Sequence, residues 1–204
     1  MSNVDRDVNR IMVRHNTSSD YVIRLARAIT EPDDFADEFQ ILAGAGPRDV
    51  VKMLLLTPGG SVDTCLMITK AMAECEAKTI GWIGPTCASA GSAIALACDE
   101  WEVDDMSSLM IHTGSYSSIY GKAKDVRAYT LHTDKMIEKF IRLTYTGFLT
   151  ESEIEEVLEG KELYFDVDNG LVERLTAFAE YRDDQRRAHN VRDDEENVLD
   201  EEEE

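Results

Sequence analysis

From Tyr21 to Thr30 apolar and polar residues alternate closely enough to predict a strand. "TEPDDFADEF" then reads as a helix start: Thr30 suits the cap, Asp33 the capping-box position, and Pro32 the first turn. Phe35, Phe39 and Leu42 fall on one face of that helix. "GAGPRD" breaks the pattern, and Val50–Leu56 is a nearly continuous apolar run. Such a run predicts a strand buried on both faces of a parallel sheet. "TPGG" ends it, and a helix follows with Val62, Cys65, Leu66, Met72 and Ala73 on its inner side. Thr79–Gly84 is the next strand, and "GPTCASAGSAIALACDE" leads into another helix. "WEVDD" and "SLMIH" read as short strands. A long helical pattern runs to Thr146 through Val126, Tyr129, Ile137, Phe140, Ile141 and Tyr145. Thr150 and Glu153 form a capping box for a further helix that ends near Gly160. "KELYF" is a short strand, and "NGLVERL" closes the fold. This alternation predicts an α/β class with a largely parallel sheet.

Charge narrows the partners. The formal net charge is −20, and the segment from Arg182 to Glu204 contributes −7 of it, so residues 1–181 are acidic too. Nucleic-acid and anionic-membrane partners are not expected, because both need clustered Lys and Arg. The polar start has no signal-peptide pattern, and no apolar run is long enough for a membrane span, so a cytoplasmic location is expected. The glycosylation-like "NTS" at Asn16 is then idle. Cys65, Cys75, Cys87 and Cys98 show neither CxxC spacing nor a flanking His pair, which reads as reduced core residues without metal. Three segments are expected: a mobile or partner-dependent 1–20, one domain over 21–181, and an acidic, disordered tail over 182–204.

Acyl transfer from a serine needs a nearby base, a group that orients the base, and N–H donors for the oxyanion. Ser89 opens a helix between the small residues Ala88, Ala90 and Gly91. His112 ends the apolar "SLMI" strand, and Gly59 and Gly60 follow another strand, where their N–H groups are free to face a developing charge. Each feature has a plainer reading: tight helix packing, an ordinary strand-end histidine, a turn. Three such features at three strand ends make a catalytic reading competitive with the plain one.

The motifs that carry these residues are more specific. "LLLTPGGSV", "ASAG", "LMIH", "GKAKDV", "YTG" and "GLVE" occur in one order over about Tyr21 to Leu175. Gly60 and Ser89 stand 29 residues apart, Ser89 and His112 23, and His112 and Glu162 50. In this the chain resembles the Clp protease proteolytic subunit family, ClpP. The resemblance implies a ClpP/crotonase-like ββα superhelix with a projecting handle helix, in stacked, usually heptameric rings. It implies Ser89 as nucleophile, His112 as general base, and the backbone N–H groups of Gly60 and Ala90 as oxyanion donors. Ser92 is the weaker nucleophile candidate. Gly59, Ser61, Thr113, Gly114 and Ser115 match substrate-binding positions, with Gly114–Gly121 running beside an extended polypeptide. No metal or cofactor is implied.

The family has Asp as third triad member, and the matching residue here is Glu162 in "GKELYF", with Asp166 and Asp168 as alternatives. The N-terminal segment and the "LDEEEE" tail do not match the family pattern, which leaves an AAA+ unfoldase partner open and would suit a phage-encoded protease maturing a capsid or scaffold. Rival readings are a crotonase-like acyl-CoA enzyme, a ring protein with weakened catalysis, and a Ser–Lys peptidase like signal peptide peptidase A. In the last, Lys122, Lys135 or Lys139 would serve as base.

Overall fold

The computed structural model describes residues 18–115 and 119–201, and from Asn190 onward the backbone alone. Most of the N-terminal segment, Asn16 and part of the Gly114–Gly121 run therefore lie outside the described residues. The elements in order are β1 (Asp20–Leu25), α1 (Ala36–Gly44), β2 (Val50–Thr57), α2 (Val62–Glu74), β3 (Lys78–Ala88) and α3 (Ala90–Ala97). Then come β4 (Glu100–Glu102), β5 (Ser108–Ile111), α4 (Ala123–Tyr145), α5 (Glu151–Leu158), β6 (Leu163–Asp166) and α6 (Leu171–Glu201). The sheet order is β1-β2-β3-β5-β6, with β4 also on β3. All pairs are parallel except β5 with β6. The expected α/β class with a largely parallel sheet is present.

β2 is buried on one face only. Val51, Met53, Leu55 and Thr57 are sealed, while Leu56 is 40% exposed and Val22 on β1 is 51% exposed. The expectation of burial on both faces is corrected: the helices cover one side of the sheet, and a period of two sends alternate residues to the other. α2 is corrected in the same way. Its inner residues are Thr64, Cys65, Ile68 and Met72, whereas Val62, Leu66 and Ala73 face out. Ser61 caps that helix, its Oγ accepting from the Thr64 N–H at 3.2 Å.

The first helix starts differently from its expected capping box. Pro32–Phe35 forms a 3-10 turn ahead of α1, and Thr30 Oγ1 donates to the Asp34 carboxylate at 2.6 Å instead of capping. β1 stops at Leu25, and Ile29 makes an isolated parallel bridge to Gly60. The Thr150–Glu153 capping box is present as expected. Glu153 is also held by Arg174, at 2.6 and 3.0 Å. Burial raises the Glu153 carboxyl, but the Arg174 and Thr150 hydrogen bonds outweigh it and hold the group below its usual range.

β3 creates the geometry the site needs. Its first half pairs with β2 and β4, and its last residues, Cys87 and Ala88, pair with β5. Between them the register with β2 slips: Leu55 faces Ile83, but Thr57 faces Cys87. Gly84 and Pro85 sit at the slip. A Cβ on Gly84 would lie 2.8 Å from the Leu55 carbonyl oxygen, and Pro85 has no N–H to lose from a ladder. The strand continues past that slip to Ala88, and Ser89 alone separates it from α3.

α4 projects. Of its 23 residues only Ile141 and Tyr145 are buried, and Tyr129, Leu131 and Met136 are between 48% and 63% exposed. α6 passes through Tyr181 without the expected break. Arg182 lies across Trp101 and Phe178 and donates to the Cys98 carbonyl at 2.5 Å, so the helix is anchored past that boundary. All four cysteines are free thiols, and burial pushes Cys65 and Cys98 up to about 12, consistent with small core residues. Among the described residues no helix is long and apolar enough to cross a membrane.

Candidate active site

Ser89 lies at the junction of β3 and α3 with φ 55° and ψ −125°, and among the described residues no other non-glycine has positive φ. This conformation costs about 1–3 kcal/mol and persists only where the surroundings hold it. Here they do. The Ser89 N–H donates to the Met110 carbonyl on β5 at 2.8 Å. Its carbonyl accepts from the Ser92 N–H at 2.9 Å and from Ser92 Oγ at 2.7 Å. The turn throws the Ser89 side chain out of the helix, half-buried rather than sealed.

β5 brings the base. Ala88 is paired with Met110, so the chain leaves β5 beside Ser89, and His112 Nε2 lies 2.8 Å from Ser89 Oγ. This is hydrogen-bonding distance for a general base.

Two backbone constraints set the Gly60 and Ala90 N–H groups. In the Ile29–Gly60 bridge, Ile29 N–H donates to the Gly59 carbonyl at 2.9 Å and Ser61 N–H to the Ile29 carbonyl at 2.7 Å. These bonds flank Gly60, so its own N–H points away from Ile29. Ala90 is the first residue of α3, where an N–H has no partner within the helix. Gly59 and Gly60 have φ of 88° and 151°. A Cβ on Gly59 would sit 2.7 Å from Ser89 Cβ and 2.9 Å from Ala90 N, so this turn lies directly against Ser89.

The other expected residues fall as follows. Ser61 is taken up as the α2 cap. Thr113 and Gly114 are half-buried after β5, Ser115 is exposed, and a Gly114 Cβ would lie 3.0 Å from Ile137 on α4. Ser92 is sealed, so its hydroxyl is not an accessible nucleophile. Lys122, Lys135 and Lys139 are exposed at the start of α4 or along it, and Ser89 Oγ has His112 as its hydrogen-bond partner.

Glu162 is near but turned. Ile111 faces Leu163 in the antiparallel pair, and one further step of that register puts Glu162 opposite His112. Its carboxylate accepts from the Tyr164 hydroxyl at 2.7 Å instead of from the imidazole. That bond holds the Tyr164 phenol above its usual range. Asp166 is occupied as a cap, accepting from the Asp168 and Asn169 N–H groups at 3.0 Å. The structure thus joins Ser89 to His112, and the Glu162 carboxylate is engaged by Tyr164 instead. Tyr145, placed by its spacing on the apolar stripe of α4, also has its hydroxyl 2.9 Å from Ser92 Oγ, a contact the sequence did not announce. A phenol at the buried end of an otherwise apolar helical stripe is its only hint.

A comparison with curated protein sequences finds no match. A comparison with family models matches the Clp protease family over residues 5–169, which include Ser89, His112 and both glycines of the turn. With most of its length matched and a serine–histidine pair in place, the chain belongs to the Clp protease family and has that family's serine-peptidase activity.

Proposed function

We propose that the protein is a ClpP-type endopeptidase that cleaves extended polypeptides through an acyl-enzyme on Ser89. The observation that carries this is the 2.8 Å Ser89–His112 pair, set on a strained turn beside two backbone N–H donors. Ser89 Oγ attacks the scissile carbonyl carbon while His112 Nε2 takes the hydroxyl proton. The Gly60 and Ala90 N–H groups receive the oxyanion. The C–N bond breaks as His112 returns the proton to the leaving amine. Water, deprotonated by the same imidazole, then releases the acyl group as a carboxylate. An extended substrate would run beside Thr113–Ser115, adding a strand through main-chain hydrogen bonds.

The open face of the sheet and the projecting α4 leave large apolar side chains exposed, as assembly into stacked rings would use. Substrates would then enter in an unfolded state, delivered by an AAA+ unfoldase or by their own disorder. The test is labelling with a fluorophosphonate. It is expected to modify Ser89 in the assembled wild type and to fail when His112 is replaced. A protein that cleaves peptides but carries its adduct elsewhere, or none, would sink the reading.

Glu162 is proposed as the third member, rotating from Tyr164 to His112 when substrate excludes water. Glu162→Gln is expected to lower kcat about 100-fold, less than the roughly 10⁴ of a buried triad carboxylate, because Glu162 is exposed. Steady-state kinetics check this. A kcat within threefold of wild type would remove Glu162 from the mechanism.

A further inference from the structure

The strained Ser89 turn has more holding it than its conformation requires. Three donors converge on the Ser89 carbonyl, and a further hydroxyl lies close by. The closest are Ser92 Oγ at 2.7 Å and the Ser92 N–H at 2.9 Å; the Ala93 N–H lies at 3.4 Å and the Tyr145 hydroxyl at 3.5 Å. Helix geometry explains the backbone N–H groups and lets Ser92 bond back to the carbonyl three residues earlier, but it does not explain a second hydroxyl brought in from another helix. Ser92 and Tyr145 are 0% and 1% exposed. They sit on different helices and lie 2.9 Å apart. A buried hydroxyl pair costs desolvation that an apolar pair would not. Burial also raises the Tyr145 phenol, so it stays protonated.

Each hydroxyl has one proton to give. The short contact from Ser92 Oγ to the Ser89 carbonyl commits the serine proton, so Tyr145 donates to Ser92. The dipoles then run in one direction: Tyr145 O–H to Ser92 Oγ, and Ser92 O–H to the Ser89 carbonyl. That carbonyl belongs to the same peptide unit as the Ala90 N–H. The peptide is trans and planar, so its C=O and N–H point in opposite directions. Whatever grips the carbonyl therefore aims the N–H, and a donor on the carbonyl oxygen makes the amide a better donor at its other end.

We propose that Ser92 and Tyr145 are positioning residues that clamp the Ser89 carbonyl and thereby aim and polarise the Ala90 N–H for the oxyanion. They touch neither substrate nor the reacting atoms. The inference rests on the reading of Ser89 as nucleophile and Ala90 as oxyanion donor. Its effect belongs to the transition state, where the oxyanion exists, and not to ground-state binding.

The test compares Tyr145→Phe and Ser92→Ala with the wild-type assembly. Removing an oxyanion donor outright costs about 10²–10³ in kcat, so loosening one should cost about 10-fold, with KM within twofold. A peptide aldehyde, which forms a tetrahedral adduct on Ser89, should lose affinity by the same factor. Binding of the uncleaved substrate peptide to the two variants in a Ser89→Ala background should not change. Unchanged aldehyde affinity, or a kcat loss that merely follows loss of particle mass, would leave the pair a packing feature and overturn the proposal. If Tyr145→Phe does not assemble, Ser92→Ala alone decides, since it removes one oxygen from a helix interior. Fluorophosphonate labelling of the wild type separates the two layers. An adduct on Ser89 with unaffected variants refutes the clamp alone, and no adduct on Ser89 refutes the reading beneath it as well.

Discussion

His112→Ala is expected to lower kcat/KM for an unstructured polypeptide by about 10⁴-fold or more, and Ser89→Ala by a similar factor. The reason is mutual dependence. A serine hydroxyl is a weak nucleophile at neutral pH until a base 2.8 Å away removes its proton. Without the hydroxyl, the imidazole has nothing to activate. The double variant should therefore be no worse than either single one, because residues acting as a unit are not additive. Residual cleavage over water would come from the Gly60 and Ala90 donors. The measurement is peptide hydrolysis by the purified assemblies at matched particle mass. It also separates the rival chemistry. A Ser–Lys peptidase would lose activity with Ser89→Ala but keep it with His112→Ala. The structure argues against that outcome, since Lys122, Lys135 and Lys139 are all exposed. A crotonase-like enzyme would keep activity toward its thioester in both variants.

Much of this site is legible in the sequence, and the reasons are local. The apolar "SLMI" run ends at His112, so an ionisable side chain stands at a strand end, where open α/β sheets place their ligands. The Gly59-Gly60 pair was readable as a special turn because only glycine tolerates those dihedrals so near other backbone. What stayed hidden depends on contacts distant in sequence. The apolar run of β2 could not reveal that its second face lies open, because apolar side chains on an open face have the same composition as those under a helix. Ser92 looked like a second nucleophile because burial is not written in a residue's type. Its hydroxyl is consumed by Ser89 and by Tyr145, 53 positions away. Glu162 was located by its motif, but the orientation of its carboxylate depends on Tyr164, two residues along the same face of β6. The boundary at Tyr181 followed a change in composition. Arg182 lies beyond it and is nevertheless held by the Cys98 carbonyl at the end of α3.

Gly60→Ala is expected to damage both stability and turnover, in a way that Gly44→Ala does not. A Cβ at Gly60 would land on the Ile29 carbonyl, which is backbone and cannot swing aside. The φ of 151° adds strain that any L side chain would feel. Relief requires the Ile29–Gly60 bridge to open, with loss of the Ile29 N–H bond to Gly59 and the Ser61 N–H bond to Ile29. The last of these also seats Ser61, the cap of α2. The combined cost should be about 3 kcal/mol, from overpacking plus backbone strain. Thermal unfolding would read this as a clear fall in Tm. Turnover should fall further than stability alone predicts, because the shifted peptide is the one whose N–H is proposed to receive the oxyanion. A loss of about 10²–10³ in kcat is expected in material that remains folded and assembled. Gly44 ends α1 with open space around its Cβ position, so alanine there should leave Tm and kcat near wild type. If Gly60→Ala instead proved stable and active, the turn could not be held where the structure puts it, and its N–H could not serve the oxyanion.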